Sequence, residues 1–303
     1  MLDATHKSSY IMRMNKLPLA KRVQILSMLV EGSSMRSISR VADVSINTVS
    51  KLLIDAGRAC IAYHDEHVRG VAAKRVQVDE VWSFTYAKQK NVASAKRQDL
   101  AYGDTWTWTT IEADSKLLIS WLVGARDSEY ALAFVDDLRQ RLTNRVQLTR
   151  DGHKAYLEAV EEGFGDDVDY AVLQKLYGTA PEAQTRYSPA KCIGVRSEEI
   201  TGNPDPKHVS TTYVERQNLT MRMQMRRFTR LTNAFSKKFE NHVHMVALYT
   251  VWYNFVRVHK TLRMTPAMAA GISDTLRDME WIAELVEAAA PKPGPRGPYK
   301  KRG

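Results

Sequence analysis

Cysteine is scarce in this 303-residue chain, which contains only Cys60 and Cys192. Two cysteines exclude a disulfide framework and a four-cysteine zinc site. Long apolar runs are also missing, because polar residues interrupt even the most apolar late stretch, residues 243–258. The amino-terminal residues lack the charged-then-apolar order of a signal peptide. We therefore expect a cytoplasmic protein with no membrane partner.

Acidic residues are also fewer than basic ones: the chain has 34 Asp and Glu and 44 Lys and Arg, which gives a net charge of +10. The charge is uneven: +5 over residues 1–74, −4 over 75–214, +8 over 215–263, −4 over 264–290 and +5 over 291–303. Basic arms attract phosphate backbones through counterion release. They also occur as solvated charge on helix faces, so composition alone leaves a nucleic-acid partner and that alternative open.

Three short helices are predicted in the first part of the chain. The first runs from Pro18 to Gly32, with apolar residues at helical spacing between them. Ser33 or Ser34 caps the second, whose inward residues are Ile38, Val41 and Ala42. Ser45 caps the third, whose buried stripe is Ile46, Val49, Leu52 and Leu53. This pattern is typical of a helix-turn-helix.

The outer face of the third helix carries the polar residues Asn47, Thr48 and Lys51. In a helix-turn-helix the second helix of the motif enters the major groove and reads bases with its first turns. Asn47 suits an adenine edge, and Lys51 suits a guanine edge or a phosphate. The alternative is an ordinary three-helix bundle with a polar outer face.

After residue 75 the sequence pattern changes from helical to alternating. Residues 75–86 alternate strongly, and shorter apolar strands are predicted over 106–111, 117–123, 146–149 and 168–173. A helix is predicted from Ser128 and another over 153–162. The order β-β-β-α-β-α-β predicts an α/β fold in which helices pack on a mixed sheet.

The remaining residues divide into an irregular part, two helices and a tail. Residues 178–211 hold four prolines and three glycines, which predicts an irregular insertion. A basic helix is expected from Thr211 or Thr212, followed by a long amphipathic helix through residues 235–256. The last residues are rich in proline, glycine and basic side chains, so we expect a disordered basic tail over 288–303.

Three carboxylates lie where such a fold can bring them together. Asp79 is in the first strand, Asp151 directly follows the fourth, and Glu215 is in the basic helix. A charge inside a central strand is costly to bury without a partner or a metal. Three carboxylates around one point suit hard divalent cations such as Mg²⁺, and a pair of such ions promotes phosphoryl transfer. Glu80 competes with Asp79, since a bulge would exchange their faces.

These residues resemble the Asp-Asp-Glu triad of bacterial insertion-sequence transposases, which have a ribonuclease-H-like catalytic domain. The separations of 72 and 64 residues suit that family. The motifs that carry the resemblance are Val78-Asp79-Glu80-Val81-Trp82, Asp151-Gly152-His153-Lys154-Ala155-Tyr156 and Glu215-Arg216-Gln217-Asn218. They are most similar to the group of the first-numbered insertion sequence. Arg222 lies seven residues after Glu215, where many members of the family have a basic residue.

The resemblance implies a DDE transposase that cleaves DNA with Mg²⁺ or Mn²⁺, through two ions held by Asp79, Asp151 and Glu215. Its partners would be the double-stranded terminal repeats of the element, the target DNA and further copies of the chain, in the nucleoid. The implied domains are a helix-turn-helix over 1–60 and a ribonuclease-H-like domain over 75–270 that contains the insertion 178–211. A silent DNA-binding repressor of transposition and a nuclease without strand transfer are the alternatives.

Four arginines are candidate phosphate contacts on the outer side of the basic helix: Arg222, Arg226, Arg227 and Arg230. Arginine is well suited to phosphate because its planar guanidinium forms paired hydrogen bonds. The alternative is that these arginines are only solvated surface charges.

Overall fold

A six-stranded mixed sheet lies at the centre of the fold. The structure is a computed structural model that describes residues 17–96, 99, 101–152, 155–178, 192–229 and 233–290. The predictions for residues 1–16, 153–154, 179–191, Arg230 and the tail from residue 291 lie outside the described residues.

The strands are β1 (Arg75–Thr85), β2 (Gly103–Glu112), β3 (Leu118–Gly124), β4 (Val146–Arg150), β5 (Val168–Tyr177) and β6 (Cys192–Thr201). Their order across the sheet is β3-β2-β1-β4-β5-β6. β1 pairs antiparallel with β2 and parallel with β4, so it has a neighbour on each side. The predicted mixed α/β fold is confirmed, and this arrangement is consistent with a ribonuclease-H-like fold.

The amino-terminal helices are α1 (Leu19–Val30), α2 (Met35–Ala42) and α3 (Ile46–His67). The Ser34 hydroxyl caps α2 by accepting from the Ser37 N–H at 3.1 Å, and the Ser45 hydroxyl caps α3 in the same way. The three predicted helices are present, whereas a DNA-reading role for them stays a prediction. Two inward residues were predicted wrongly, because Val41 and Ile46 are 58% and 43% exposed at the edge of the buried stripe.

Helix α3 is longer than a helix-turn-helix requires. It continues without interruption to His67, so the predicted domain boundary at residue 60 lies inside a helix. It packs on the helix α7 (Phe239–Val251), and His64 Nε2 lies 3.4 Å from the Leu118 carbonyl of β3. The amino-terminal helices are therefore joined to the sheet by a continuous helix rather than by a linker.

Helices cover both faces of the sheet. The helices α4 (Ser128–Arg141) and α5 (Ala155–Phe164) pack on the face that carries Trp108. The other face carries α6 (Thr212–Gln224), whose Tyr213 and Val214 N–H groups donate to Gln77 Oε1 of β1. A short helix α8 (Pro266–Ala269) and the helix α9 (Met279–Ala289) follow, and Arg22 of α1 donates to Glu287 of α9.

The predicted irregular insertion over 178–211 is wrong for ten of its residues, because Cys192–Thr201 form strand β6 at the edge of the sheet. Most of the side chains of β6 are exposed, including Ile193 and Val195. Its sequence therefore lacks the alternation of apolar and polar residues that identifies a half-buried strand. The amphipathic helix also begins later than predicted, at Phe239. No helix in the described part of the chain is both long and apolar enough to cross a membrane.

Candidate active site

Adjacent parallel strands bring Asp79 and Asp151 together. The register pairs Val78 of β1 with Arg150 of β4, so the next residue on each strand, Asp79 and Asp151, lies at the same level. Asp79, Glu80 and Asp151 each offer a carboxylate oxygen, and these three oxygens lie within 4.8 Å of one another. We refer to these three residues as the acid group.

Burial and neighbouring charge act on Asp79. Burial, followed by the charges of Asp151 and Glu80, raises the pKa of Asp79 from 3.8 to about 7. Hydrogen bonds to the carboxylate, from the Glu80 N–H and from Asn218, oppose this shift. The acid group thus concentrates negative charge in a partly buried place, which is what a bound cation would stabilise.

Glu80 points to the opposite face of the sheet from Asp79 and already has a cation beside it. Arg126 donates to Glu80 Oε2 through Nη2 at 3.0 Å and through Nε at 3.1 Å. The Tyr156 hydroxyl also interacts with the Glu80 carboxylate. Burial raises the pKa of Glu80, while Tyr156 and Arg126 oppose the shift. Glu80 therefore already has a positively charged partner within the protein.

Glu215 lies on the helix beside the acid group but is not a member of it. It is in the first turn of α6, and its carboxylate forms an ion pair with Lys175 of β5. The Thr211 hydroxyl donates to Glu215 Oε1 at 2.6 Å. Among the described residues, the set whose oxygens converge contains Glu80 in the place where the sequence predicts Glu215.

Asn218 links helix α6 to Asp79. Its amide nitrogen donates to Asp79 Oδ2 at 2.7 Å, and its Oδ1 accepts from the Thr109 hydroxyl of β2 at 3.1 Å. Asn218 is buried, and it lies one helical turn after Glu215, so the same face of α6 carries both residues. This hydrogen bond orients the Asp79 carboxylate and fixes the position of α6 over the sheet.

A cavity of about 830 Å³ opens beside Asp151. Its lining includes Gly152, Ala155 and Glu158 on one side and Arg126 with the first residues of α4 on the other. The cavity therefore exposes Asp151, one member of the acid group, and Arg126 lies in the same lining.

The donor set of the acid group fits a hard divalent cation. All three groups are carboxylates, which are the ligands that Mg²⁺ and Mn²⁺ prefer. The raised pKa of Asp79 comes in part from two like charges, and a cation would remove that repulsion. Asp79 and Asp151 lie at the same level on adjacent strands, so they are the two members best placed to act as ligands.

The predicted DNA-contacting residues are placed unequally. Asn47 and Lys51 are exposed at the start of α3, and Thr48 is half-buried. Arg222 lies on α6, but the basic helix ends at Gln224, because Met225 is extended (φ −112°, ψ 109°), so Arg226 and Arg227 lie beyond it. Arg226 is exposed. Arg227 instead donates to Ser236 Oγ at 2.8 Å, and burial lowers its pKa to about 10.

Sequence reasoning missed several residues around the acid group: Thr109, Arg126, Lys175 and the role of Asn218. Asn218 was accessible to it, since an amide one turn after a candidate glutamate shares its helix face. Arg126 and Lys175 were not, because only the tertiary structure brings β5 and the β3–α4 connection to the acids.

No family model matches the sequence, and no curated protein sequence matches it. Among solved structures, the chain is similar to the piggyBac transposase in a cryo-EM structure of its synaptic complex with hairpin DNA. The TM-score is 0.27 and the identity is 9%, with 72% of this chain and 52% of that chain covered. The chain thus spans about half the length of that transposase chain. A likeness at this level transfers no residue's role from that protein to this one.

Proposed function

We propose that the chain is a DDE transposase, which cleaves DNA at the ends of an insertion sequence and joins those ends to target DNA. The observation that carries the proposal is the convergence of Asp79 and Asp151 from the adjacent strands β1 and β4. The order and sequence context of Asp79, Asp151 and Glu215 support the same assignment.

In this proposal Asp79 and Asp151 hold two Mg²⁺ or Mn²⁺ ions, and Glu215 completes the ligand set after separating from Lys175. Such ions, when bound, supply charge neutralisation at the phosphate and lower the pKa of an attacking water. Asn218 holds the Asp79 carboxylate in one orientation. Glu80 is the alternative third ligand, since it already lies in the acid group.

The proposed DNA contacts begin at the amino-terminal end of α3. Asn47 and Lys51 are exposed there, and with Thr48 they would read the terminal repeats in the major groove. Arg222 and Arg226 are proposed phosphate contacts, and Arg230 stays a prediction from the sequence. Two element ends must be held together for joining, so we expect the active form to contain at least two copies of the chain.

A cleavage and joining assay tests the proposal. The purified chain is incubated with labelled DNA ends, a target plasmid and Mg²⁺ or Mn²⁺. We expect joined products, and we expect Asp151→Asn to lower their yield by roughly a thousand-fold or more, because the ligand pair is lost. The matched control is Glu158→Gln, which removes an exposed carboxylate from the same cavity and should leave the yield within about two-fold of the parent.

Two further variants identify the third ligand. Glu215→Gln abolishes joining if the triad is that of the resemblance, whereas Glu80→Gln does so if the third ligand is the residue in the acid group. Cutting without joining would favour the nuclease, and binding without any product would favour the silent repressor. Full activity of Asp151→Asn would rule out the proposed mechanism.

A further inference from the structure

An aromatic surface lies beside the acid group, on the sheet face that carries Glu80. The aromatic platform consists of Trp82, Phe84, Trp106 and Phe235. Trp82 and Phe84 follow Glu80 on the same face of β1, and Trp106 is the cross-strand partner of Trp82. The ring centroids of Trp82 and Phe84 are 5.8 Å apart, and those of Phe84 and Phe235 are 4.8 Å apart.

The helices that cover this face stop short of the platform. Trp108, two positions further along β2 on the same face, is 0% exposed because Phe134 of α4 and Tyr156 of α5 pack on it. Trp82 and Trp106 instead keep part of their surface in solvent. This face of the sheet is thus buried at Trp108 and partly exposed at Trp106, two residues earlier on the same strand.

Basic side chains surround the platform. A cavity of about 840 Å³ is lined by Trp82, Lys88, Gln89, Lys90 and Asp104. Lys88 and Lys90 are exposed, and the connection between β1 and β2, residues 86–102, carries four basic residues against one acidic residue. This +3 segment lies inside the part of the chain that is acidic overall, and its Lys88 and Lys90 line the cavity beside Trp82, with Asp104 as the acidic residue of that lining.

The platform is continuous with the acid group through Arg126. The Arg126 guanidinium lies 4.6 Å from the centroid of the Trp106 ring and is paired with Glu80. Trp82 is two residues from Glu80 along β1, a distance of about 7 Å. That is about two base-pair steps of duplex DNA, which rises about 3.4 Å per step. Arg126 also lines the cavity beside Asp151, so a DNA strand whose phosphate enters that cavity would have neighbouring bases at the platform.

We propose that the aromatic platform is a stacking site for unpaired nucleobases of the DNA strand that lies at the acid group. The inference rests on the proposed function for its substrate. Aromatic rings next to lysines bind single strands of any sequence, because every base has a π-face and every nucleotide has a phosphate. In a duplex these faces are hidden by stacking, so the platform selects DNA whose terminal bases are unpaired.

Charge favours DNA over a second copy of the chain as the occupant. Lysine is depleted at protein–protein interfaces, and burying Lys88 and Lys90 without acidic partners would be unfavourable. Phosphates, by contrast, are attracted to both side chains and release counterions on binding.

The test compares single-stranded and duplex DNA without divalent metal. Fluorescence anisotropy measures binding of a labelled oligothymidylate and of a duplex of the same length. We expect Trp82→Ala to weaken single-strand binding about ten-fold and duplex binding less than about two-fold, while Trp82→Phe keeps most of the single-strand affinity because a stacking ring remains. Both arms are measured at the same ionic strength, since phosphate contacts depend steeply on salt.

A charge-matched pair keeps the test decisive if Trp82→Ala does not fold. Lys88→Gln/Lys90→Gln changes only exposed side chains and should lower the salt slope of single-strand binding by about 1.4, since each phosphate contact to a single strand contributes about 0.7. Lys207→Gln/Lys260→Gln removes the same charge from two other exposed sites and should leave that slope almost unchanged.

Three results would overturn the stacking site. The first is that Trp82→Ala binds single strands as tightly as the parent, and the second is that it loses the same affinity for single-stranded and duplex DNA. The third is that Trp82→Ala sediments as a monomer where the parent sediments as a dimer, with DNA binding intact. The last would assign the platform to a second copy of the chain. The binding test contains no metal, so its result does not depend on catalysis. A parent chain that binds single strands through Trp82 but never cleaves DNA when Mg²⁺ or Mn²⁺ is added would contradict the proposed function and leave this inference standing.

Discussion

At the residue scale, the chemistry of the site depends on a carboxylate that the fold makes costly to ionise. Asp79 is held among two other acids and is partly buried, and its hydrogen bonds from Asn218 and the Glu80 N–H only partly offset that environment. Arg126 is paired with Glu80, not with Asp79. The repulsion that remains lowers the free energy of unfolding when Asp79 is ionised, and a cation bound at the acid group would remove that repulsion.

This gives a pH-dependent prediction for Asp79→Asn. The folded chain binds the Asp79 proton more tightly than the unfolded chain, because the pKa is raised from 3.8 to about 7. Wild-type stability therefore falls as the pH rises through that range. Without divalent metal, Asp79→Asn should gain stability relative to wild type as the pH rises from about 5 to about 8, by on the order of 2 kcal/mol.

Urea unfolding across this pH range measures the difference. Adding Mn²⁺ at the higher pH should stabilise wild type and not Asp79→Asn, since only wild type keeps the ligand. A difference between the two proteins that does not change with pH would contradict the raised pKa.

At the element scale, helix α6 carries Glu215 on one turn and its attachment to the sheet on the next. Asn218 reaches Asp79 of β1 and Thr109 of β2, and the first turn of α6 donates two N–H groups to Gln77. These contacts set the distance of Glu215 from the acid group, although its side chain is paired with Lys175. Asn218 is thus a positioning residue for the Asp79 carboxylate, and it also holds to the sheet the helix that carries Glu215.

We predict that Asn218→Ala raises the Mn²⁺ concentration needed for half-maximal cleavage by about ten- to a hundred-fold, because Asp79 loses the amide that orients it. Thr109→Val should act in the same direction, whereas Thr109→Ser keeps the hydroxyl and should restore the parent's metal dependence. Asn241→Ala, which removes a hydrogen bond to Ser50 far along the chain, is the control. An Asn218→Ala protein that is less stable but has the parent's Mn²⁺ dependence would show only a structural role.

At the scale of the whole molecule, the amino-terminal helices and the sheet share one core. Helix α3 extends from the exposed Asn47 to His64 under β3, and α7 packs along it. Gly57 of α3 has no room for a side chain, since a Cβ there would lie 2.3 Å from the His244 Cβ of α7. The end of α3 that is proposed to read DNA is therefore held in a fixed position relative to the acid group.

Gly57→Ala should accordingly destabilise the whole chain, by about 1–3 kcal/mol, because the two helices must separate. Hydrogen exchange measured by mass spectrometry should show α1–α3 and the sheet strands losing protection together. Gly194→Ala in β6 is the control, since its Cβ would lie 3.7 Å from Leu176, an ordinary contact. Loss of protection confined to α1–α3 would contradict the single core and support an independent amino-terminal domain.

The sequence by itself determined the alternation of β1, the strand and helix order through β5, and the caps of α2 and α3. Each of these depends on neighbours along the chain: a period-two alternation of residue types, apolar helical spacing, or a serine hydroxyl near the N–H three residues on. It also determined that Asp79 and Asp151 can meet, since Asp79 lies in one buried strand and Asp151 directly follows another.

Only the tertiary structure decided which side chains surround those acids. The strand β6 has exposed residues on both faces, and its pairing with β5 leaves no periodic pattern in the sequence. Arg126 beside Glu80, Lys175 beside Glu215 and the continuation of α3 into the core join residues that are far apart in the chain. Such contacts depend on how elements pack in three dimensions, and no local spacing encodes them.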